Sequence, residues 1–342
     1  MDHALVPDLL TTGSGFAAGA RLTSGYDALR QSAAWIDLSK RGRLRITGED
    51  RARLLNAMTT NQVQSLRPGQ GCYVFFLNAQ GRILGDANIF CFADHLLLDT
   101  EPETRQKLSE HLDRYIIADD VTVEDVTGTT AAIAVEGPQA EAVLAALGAE
   151  IPAHSPLEPL PWASWGERTV ARVSSTGSPG FCIFTAAGDK PAFLTQLAGA
   201  TKDGLMEATP DDARTVRIEH GHPRYGEEIT ERYLVQETGQ LQAVNFNKGC
   251  YLGQEIVERV RSRAQIHRLL HGIEIDTSEV PAVGARLTSG EADAGEIVSA
   301  VYSPAMERVA AMAYVRIQFD KPGTELSCGA APARISTPRL AV

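Results

Sequence analysis

The stretch Asn247-Lys248-Gly249-Cys250-Tyr251-Leu252-Gly253-Gln254-Glu255 gathers a thiol, an amine and two glycines within nine residues. Glycines on either side of a thiol predict a tight turn that presents the sulfur. Lys248 stands two residues before Cys250, and a nearby cation favours thiolate over thiol. A thiolate serves as nucleophile, metal ligand or redox group, so Cys250 and Lys248 are candidate catalytic residues. The competing reading is a buried, inert cysteine, the usual fate of a free thiol. Directly after it come Arg259, Arg261 and Arg263 at alternating positions. On a strand these guanidiniums would line one face and suit a carboxylate- or phosphate-bearing ligand, or else form a solvated edge.

Two carboxylates stand out because they are locally misplaced. Asp86 sits inside the apolar run Ile83-Leu84-Gly85-Asp86-Ala87-Asn88-Ile89. It shares a face with Asn88 and could accept a pair of ligand N–H groups, such as a pteridine ring presents. Tyr73, thirteen residues earlier, falls on the partner strand of the same predicted hairpin. Glu219 closes a predicted helix in Arg217-Ile218-Glu219-His220-Gly221-His222-Pro223. A carboxylate there opposes the helix dipole by ~0.3–1 kcal/mol, so Glu219 must pair with an arginine or bind a ligand. His220 and His222 have no third ligand close in sequence, so no metal site is expected.

The elements that must position these residues are short and mixed. Residues 43–47 alternate like a strand, and Gly48-Glu49-Asp50 opens a helix carrying Leu54, Leu55 and Met58. Residues 72–77 and 82–92 flank Asn78-Ala79-Gln80-Gly81, a hairpin signal. Thr100-Glu101-Pro102-Glu103 predicts a helix start, continued by Leu108, Leu112 and Tyr115. Prolines at 152, 156, 159 and 161 mark a linker, and Asp211-Asp212 caps a helix ending near Gly221. Beyond His267 the chain is short strands and turns, predicting a small closed β domain. Helices inserted between hairpins, without regular βα alternation, predict an α+β fold with largely antiparallel sheets.

Composition narrows the function. The 342 residues carry a net charge of −11, which argues against binding a nucleic-acid backbone. Five cysteines, odd in number and without a Cys-x-x-Cys pair, predict reduced thiols in place of a disulfide or zinc framework. No apolar run is long enough to cross a membrane, and Met1-Asp2-His3-Ala4 lacks a basic leader, so a cytoplasmic protein is expected. Phosphate-loop, dinucleotide-binding, zinc-protease and serine-elbow motifs are absent from the sequence.

Lys248-Gly249-Cys250-Tyr251-Leu252-Gly253-Gln254-Glu255 resembles the hallmark of the YgfZ family, folate-binding factors of iron–sulfur cluster assembly and repair. That family is similar to the T-protein of the glycine cleavage system, a tetrahydrofolate-dependent aminomethyltransferase. Weaker likenesses lie at Thr59-Thr60-Asn61-Gln62-Val63, at Leu77 through Leu84 and at Arg217 through Gly226. The resemblance implies two ferredoxin-like α+β lobes over residues 1–265, a C-terminal β-barrel over 266–342, and folate in a central cavity. It implies that Tyr73, Asp86 and Glu219 face a tetrahydrofolate or derivative, with Arg259 in the same neighbourhood. It further implies action through Cys250 on iron–sulfur clusters, including those of tRNA-modifying enzymes, with assembly factors, client proteins or a thiol-redox protein as partners. The alternative is a tetrahydrofolate-dependent aminomethyl or methyl transferase. Two departures count against turnover: Gly85 precedes Asp86 where transferases carry a second acid, and Cys182 stands where they carry a glutamate.

Overall fold

A computed structural model describes residues 24–153, 160–202, 204–263, 266–321 and 324–336. Its helices among these residues are α1 (Gly25–Gln31), α2 (Arg51–Met58), α3 (Arg105–Asp113), α4 (Ala140–Ala146), α5 (Lys190–Ala198), α6 (Pro210–Glu219) and α7 (Gln254–Arg263). The first lobe is a five-stranded antiparallel sheet. Its spatial order is Gly71–Leu77, Ile83–Cys91, Leu96–Thr100, Gly42–Thr47, Thr122–Asp125. Strand alternation sends Leu44, Val74, Phe76, Ile89 and Leu98 to one face, where they pack on Leu55 of α2 and on Leu108 and Leu112 of α3.

The Asn78 hairpin forms as expected. Asn78 Oδ1 accepts the backbone N–H groups of Gln80 and Arg82, each at 3.0 Å. Gly81 has φ +69°, and a Cβ there would meet Ile256 at 2.8 Å, so the turn needs glycine for both reasons.

In the second lobe, six strands run in the order Met206–Glu207, Ala34–Asp37, Thr130–Glu136, Gly180–Ala186, Arg168–Ala171, Trp162–Trp165. Only the first pair is parallel. Ile133, Val135, Phe181 and Ile183 pack on Val143 and Leu144 of α4 and on Phe193 and Leu197 of α5. The third lobe is a closed barrel of Arg268–Ile275, Arg308–Arg316, Ala292–Ser303, Arg286–Ser289, Leu326–Cys328 and Ala331–Ile335. Alanines 294, 300, 311, 313 and 333 let Ile273, Ile275, Ile297, Val309 and Val315 fill so narrow an interior. The expected α+β architecture of two lobes and a C-terminal barrel is the observed one.

Two local expectations are corrected. Residues 256–263 form α7, not a strand. Glu255 pairs with Arg259 at i,i+4 and Glu258 with Arg261 at i,i+3, pairings only a helix makes, so Arg259 and Arg261 do not share a strand face. The helix expected from Thr100 starts at Arg105, because Thr100 ends the strand Leu96–Thr100. There Thr100 Oγ1 donates to the carbonyl oxygen of Asp86 at 2.5 Å. Gly13-Ser14-Gly15 and most of the proline linker lie outside the described residues.

Candidate active site

Polar faces of the two sheets, the flank of α6 and the segments after it enclose a cavity of about 800 Å³. Asp86 and Tyr73 come to it from adjacent strands, paired as Phe75–Asp86 and Tyr73–Asn88. Tyr73 donates its hydroxyl to Asp86 Oδ2 at 2.7 Å. Asp86 is only 6% exposed. Burial, and next the charge of Glu101, push its carboxyl up to about 7, against the pull of Tyr73, Arg41 and Arg224. A carboxyl raised toward neutrality can either take or give a proton.

An ionic frame surrounds this pair. Arg41 binds Asp99 through Nε at 3.0 Å and Nη2 at 2.9 Å, and its Nη1 donates to Glu101. Arg224 Nε donates to the other oxygen of Glu101 at 2.9 Å, and its Nη2 binds Glu103 at 2.7 Å. The turn carrying Arg41 is held by Arg43, a fully buried guanidinium that donates to the carbonyls of Ser39, Arg41, Thr127 and Thr130. On the α6 side, Arg214 meets Glu227 at 2.6 Å, while Arg217 meets both Glu227 and the buried Glu228. His222 lines the cavity; burial, and then Arg217, depress its imidazole to about 4, so it is neutral near pH 7.

A second buried carboxylate shapes the far wall. Glu136 accepts Ser174 Oγ at 2.7 Å, Ser175 N at 2.6 Å and Oγ at 2.7 Å, Thr176 N at 3.1 Å, and the Thr176 hydroxyl. It holds the loop whose Ser174 and Ser175 face the cavity.

The other sequence candidates lie elsewhere. Glu219 is not on the cavity wall. Tyr26 donates to it at 2.6 Å and Ser303 at 2.5 Å, and Arg30 pairs with it. The misplaced helix-end carboxylate is thus explained by an arginine partner. Lys248 turns inward, where its Nζ donates to the carbonyls of Asn56 at 2.6 Å, Thr59 at 2.7 Å and Asn61 at 2.6 Å. With all three protons committed, the ammonium is not directed at the Cys250 thiol, contrary to the sequence expectation. Cys250 is exposed, whereas Cys72, Cys91 and Cys182 are buried. Arg259 pairs with Glu255 on α7, outside the cavity. Cys182 packs among Phe90, Leu97, Ala171 and Phe184.

Sequence reasoning missed Arg41, Asp99, Glu101, Arg224 and Glu227. Asp99 carried a usable signal, the same as Asp86: an acid inside an apolar strand, here Leu96-Leu97-Leu98-Asp99-Thr100. Glu101 was masked by its resemblance to a helix-capping acid.

Comparison with known proteins places this geometry. Residues 18–248 match the GCVT N-terminal domain, and residues 268–338 the glycine cleavage T-protein C-terminal barrel domain. An aminomethyltransferase of Streptomyces coelicolor is 30% identical over 307 residues, 87% of this chain and 82% of that protein. The protein named "Putative transferase At1g60990, chloroplastic" from Arabidopsis thaliana is 28% identical over 276 residues; the match spans 80% of this chain and 63% of that longer relative. The crystal structure of glycine cleavage system aminomethyltransferase T from Bartonella henselae superposes with a TM-score of 0.80 at 22% identity, covering 92% of this chain and 88% of that one, a likeness of fold. The narrower iron–sulfur repair subgroup rests on the motif at residues 248–255 alone. Matches to both domains, together covering most of the sequence, establish that the chain belongs to the glycine cleavage T-protein family.

Proposed function

We propose that this protein binds a reduced folate in the central cavity and transfers a one-carbon group there, as an aminomethyl or methyl transferase. The observation that carries the reading is the buried Asp86–Tyr73 pair facing an 800 Å³ cavity in a T-protein-family fold. Aminomethyltransferases of this family use tetrahydrofolate. The cavity suits such a group: its volume lies in the ~300–1,000 Å³ range of small-molecule sites. Ile36, Leu38, Leu160 and Val173 offer apolar surface for a flat ring, and Asp86, Asp99, Gln240 and Gln242 offer acceptors for ring N–H groups.

Reduced folate would supply the nitrogen that receives the carbon. The chain's own contribution is proton handling and orientation. Tyr73 engages Asp86 Oδ2 and fixes the carboxyl plane. Asp86 holds or releases a proton near neutral pH at its other oxygen. Arg41 and Arg224 hold the neighbouring carboxylates in place. The test is titration with tetrahydrofolate, followed by formation of methylenetetrahydrofolate from an aminomethyl-lipoyl carrier protein. Binding in the micromolar range, about −8 kcal/mol, is expected. Asp86→Asn should keep affinity within a few-fold and cut turnover by ~100–10,000-fold. No binding at millimolar tetrahydrofolate would sink the reading.

A second reading is favoured by one observation, the exposed Cys250. In it the folate-binding lobes serve iron–sulfur cluster assembly or repair, and Cys250 meets an assembly factor, client or redox protein. Its test is the activity of several iron–sulfur enzymes in cells lacking this protein, restored by the wild type and not by Cys250→Ala. Equal rescue by both forms eliminates it.

A further inference from the structure

Asp86 and Glu101 meet at the end of one strand pair of the first sheet. The strands Ile83–Cys91 and Leu96–Thr100 pair antiparallel with Asn88 opposite Asp99 and Ala87 opposite Thr100. Glu101 directly follows Thr100, whose Oγ1 donates to the Asp86 carbonyl oxygen at 2.5 Å, which brings Glu101 beside Asp86. Both line the cavity. Arg41 holds one oxygen of Glu101 and Arg224 the other. Around Asp86, then, Asp99, Glu101 and Glu103 each have a guanidinium partner, whereas Asp86 has the Tyr73 hydroxyl. Four carboxylates share two guanidiniums, and Asp86 is the one paired with a phenol instead.

We propose that Glu101, clamped between Arg41 and Arg224 on the cavity wall beside Asp86, is a positioning residue that governs proton exchange at Asp86, forming with it a carboxyl pair. The inference rests on the reading that Asp86 exchanges a proton with the cavity's ligand. It also explains how the site dispenses with a second acid at position 85. A Cβ on Gly85 would meet Thr104 at 3.1 Å and Leu108 at 3.2 Å, on the face packed against α3. An acid there would point into the core, whereas Glu101 lines the cavity with Asp86. Glu103, with its side chain 52% exposed, is screened by water; Glu101, at 12%, is not.

The remaining charged or titratable groups about Asp86 do not blur the effect. Tyr73 and Tyr225 stay neutral well above pH 7, because burial raises both phenols. His222 stays neutral down to about 4. Arg41 and Arg224 remain cationic because, against burial, the carboxylates beside them raise both guanidiniums, and Asp99 pairs with Arg41.

The experiment is a ¹³C NMR titration of protein carrying [γ-¹³C]aspartate, without folate, with Asp86→Asn to assign the signal. Wild-type Asp86 should titrate near 7, Glu101→Gln should lower that midpoint by at least one unit (tenfold in proton affinity), and Glu101→Asp should restore part of it. Glu103→Gln should leave it unchanged. A midpoint in Glu101→Gln within a few tenths of the wild type would assign the shift to burial alone and overturn the proposal. A wild-type midpoint below about 5 overturns it without any variant. Because the titration needs no folate, a failure of folate binding would count against the transferase reading and leave this result standing on its own.

Discussion

Asp86 holds its place on the cavity wall at a cost in stability. Its carboxyl ionises near 4 in an unfolded chain and is raised to about 7 in the fold, chiefly by burial. Between those values the folded state binds the proton and the unfolded state does not, so stability falls as pH rises from about 4 to 7. Asp86→Asn removes that dependence. Denaturant unfolding should find the variant more stable than wild type by roughly 2–4 kcal/mol at pH 8, with the advantage fading toward pH 4. An advantage that is the same at both pH values would show that Asp86 ionises normally. Cysteines differ by exposure at this scale. Iodoacetamide should label Cys250 first, the partly exposed Cys328 next, and Cys72, Cys91 and Cys182 only on unfolding. Mass-spectrometric footprinting reads that order directly. Tyr73 and Asp86 were legible in the sequence because an acid and a phenol in facing apolar strands are costly unless they meet. Arg41, Glu101 and Arg224 were not, because exposed loops also carry arginines and glutamates, and only the register shows which are buried together.

At the scale of elements, the turn at 245–253 is fixed by one amine. Lys248 is 8% exposed, and burial lowers its ammonium to about 8. It nevertheless ties three carbonyls at the end of α2 to the turn that carries Cys250. Asn61, one of the three, uses its Nδ2 to hold the carbonyls of Tyr73 and Gln242, so the turn and the cavity wall share one hydrogen-bonded frame. Lys248→Met would keep the alkyl length and strip three acceptors of their donor. An unfolding free energy lower by roughly 2–4 kcal/mol is expected, since unsatisfied buried acceptors cost about 1–3 kcal/mol each and water recovers some of them. Urea titration measures it, and a change under 0.5 kcal/mol would mean that the carbonyls find other partners. The next element, α7, was misread as a strand because its arginines alternate. Its apolar residues did not: Ile256, Val257 and Val260 follow helical spacing, and the Glu255–Arg259 pair was already an i,i+4 signal. Apolar periodicity, which reports burial, outranks charge periodicity, which need not.

At the scale of the whole molecule, two lobes line a cavity with residues from positions 36 to 242, and the barrel packs against them from outside it. The α+β mix and the C-terminal β domain were legible from hairpin turns, capped helices and Gly and Pro punctuation, and the two lobes only through the family resemblance. Their mutual placement was not, because it is set by a few buried polar contacts far apart in sequence. Glu219 is the clearest of these. Its side chain is 1% exposed and joins Arg30 and Tyr26 of α1 to Ser303 of the barrel. Tyr26 also accepts the N–H of Ala305 at 3.2 Å, and Ser303 that of Met306 at 3.1 Å, so the carboxylate organises the barrel edge that meets α1 and α6. Removing one partner of a buried ion pair leaves the other uncompensated, at a cost of roughly 3–5 kcal/mol. Glu219→Ala should therefore lower the unfolding free energy by about that much and loosen the barrel against the first helix, which amide exchange in residues 300–306 would register. Because Glu219 does not reach the cavity, tetrahydrofolate affinity of the folded variant should change by less than about threefold, well under the 1.4 kcal/mol of a tenfold change. Affinity reduced tenfold or more at unchanged stability would return Glu219 to the binding site and contradict the placement of its carboxylate between α1 and the barrel.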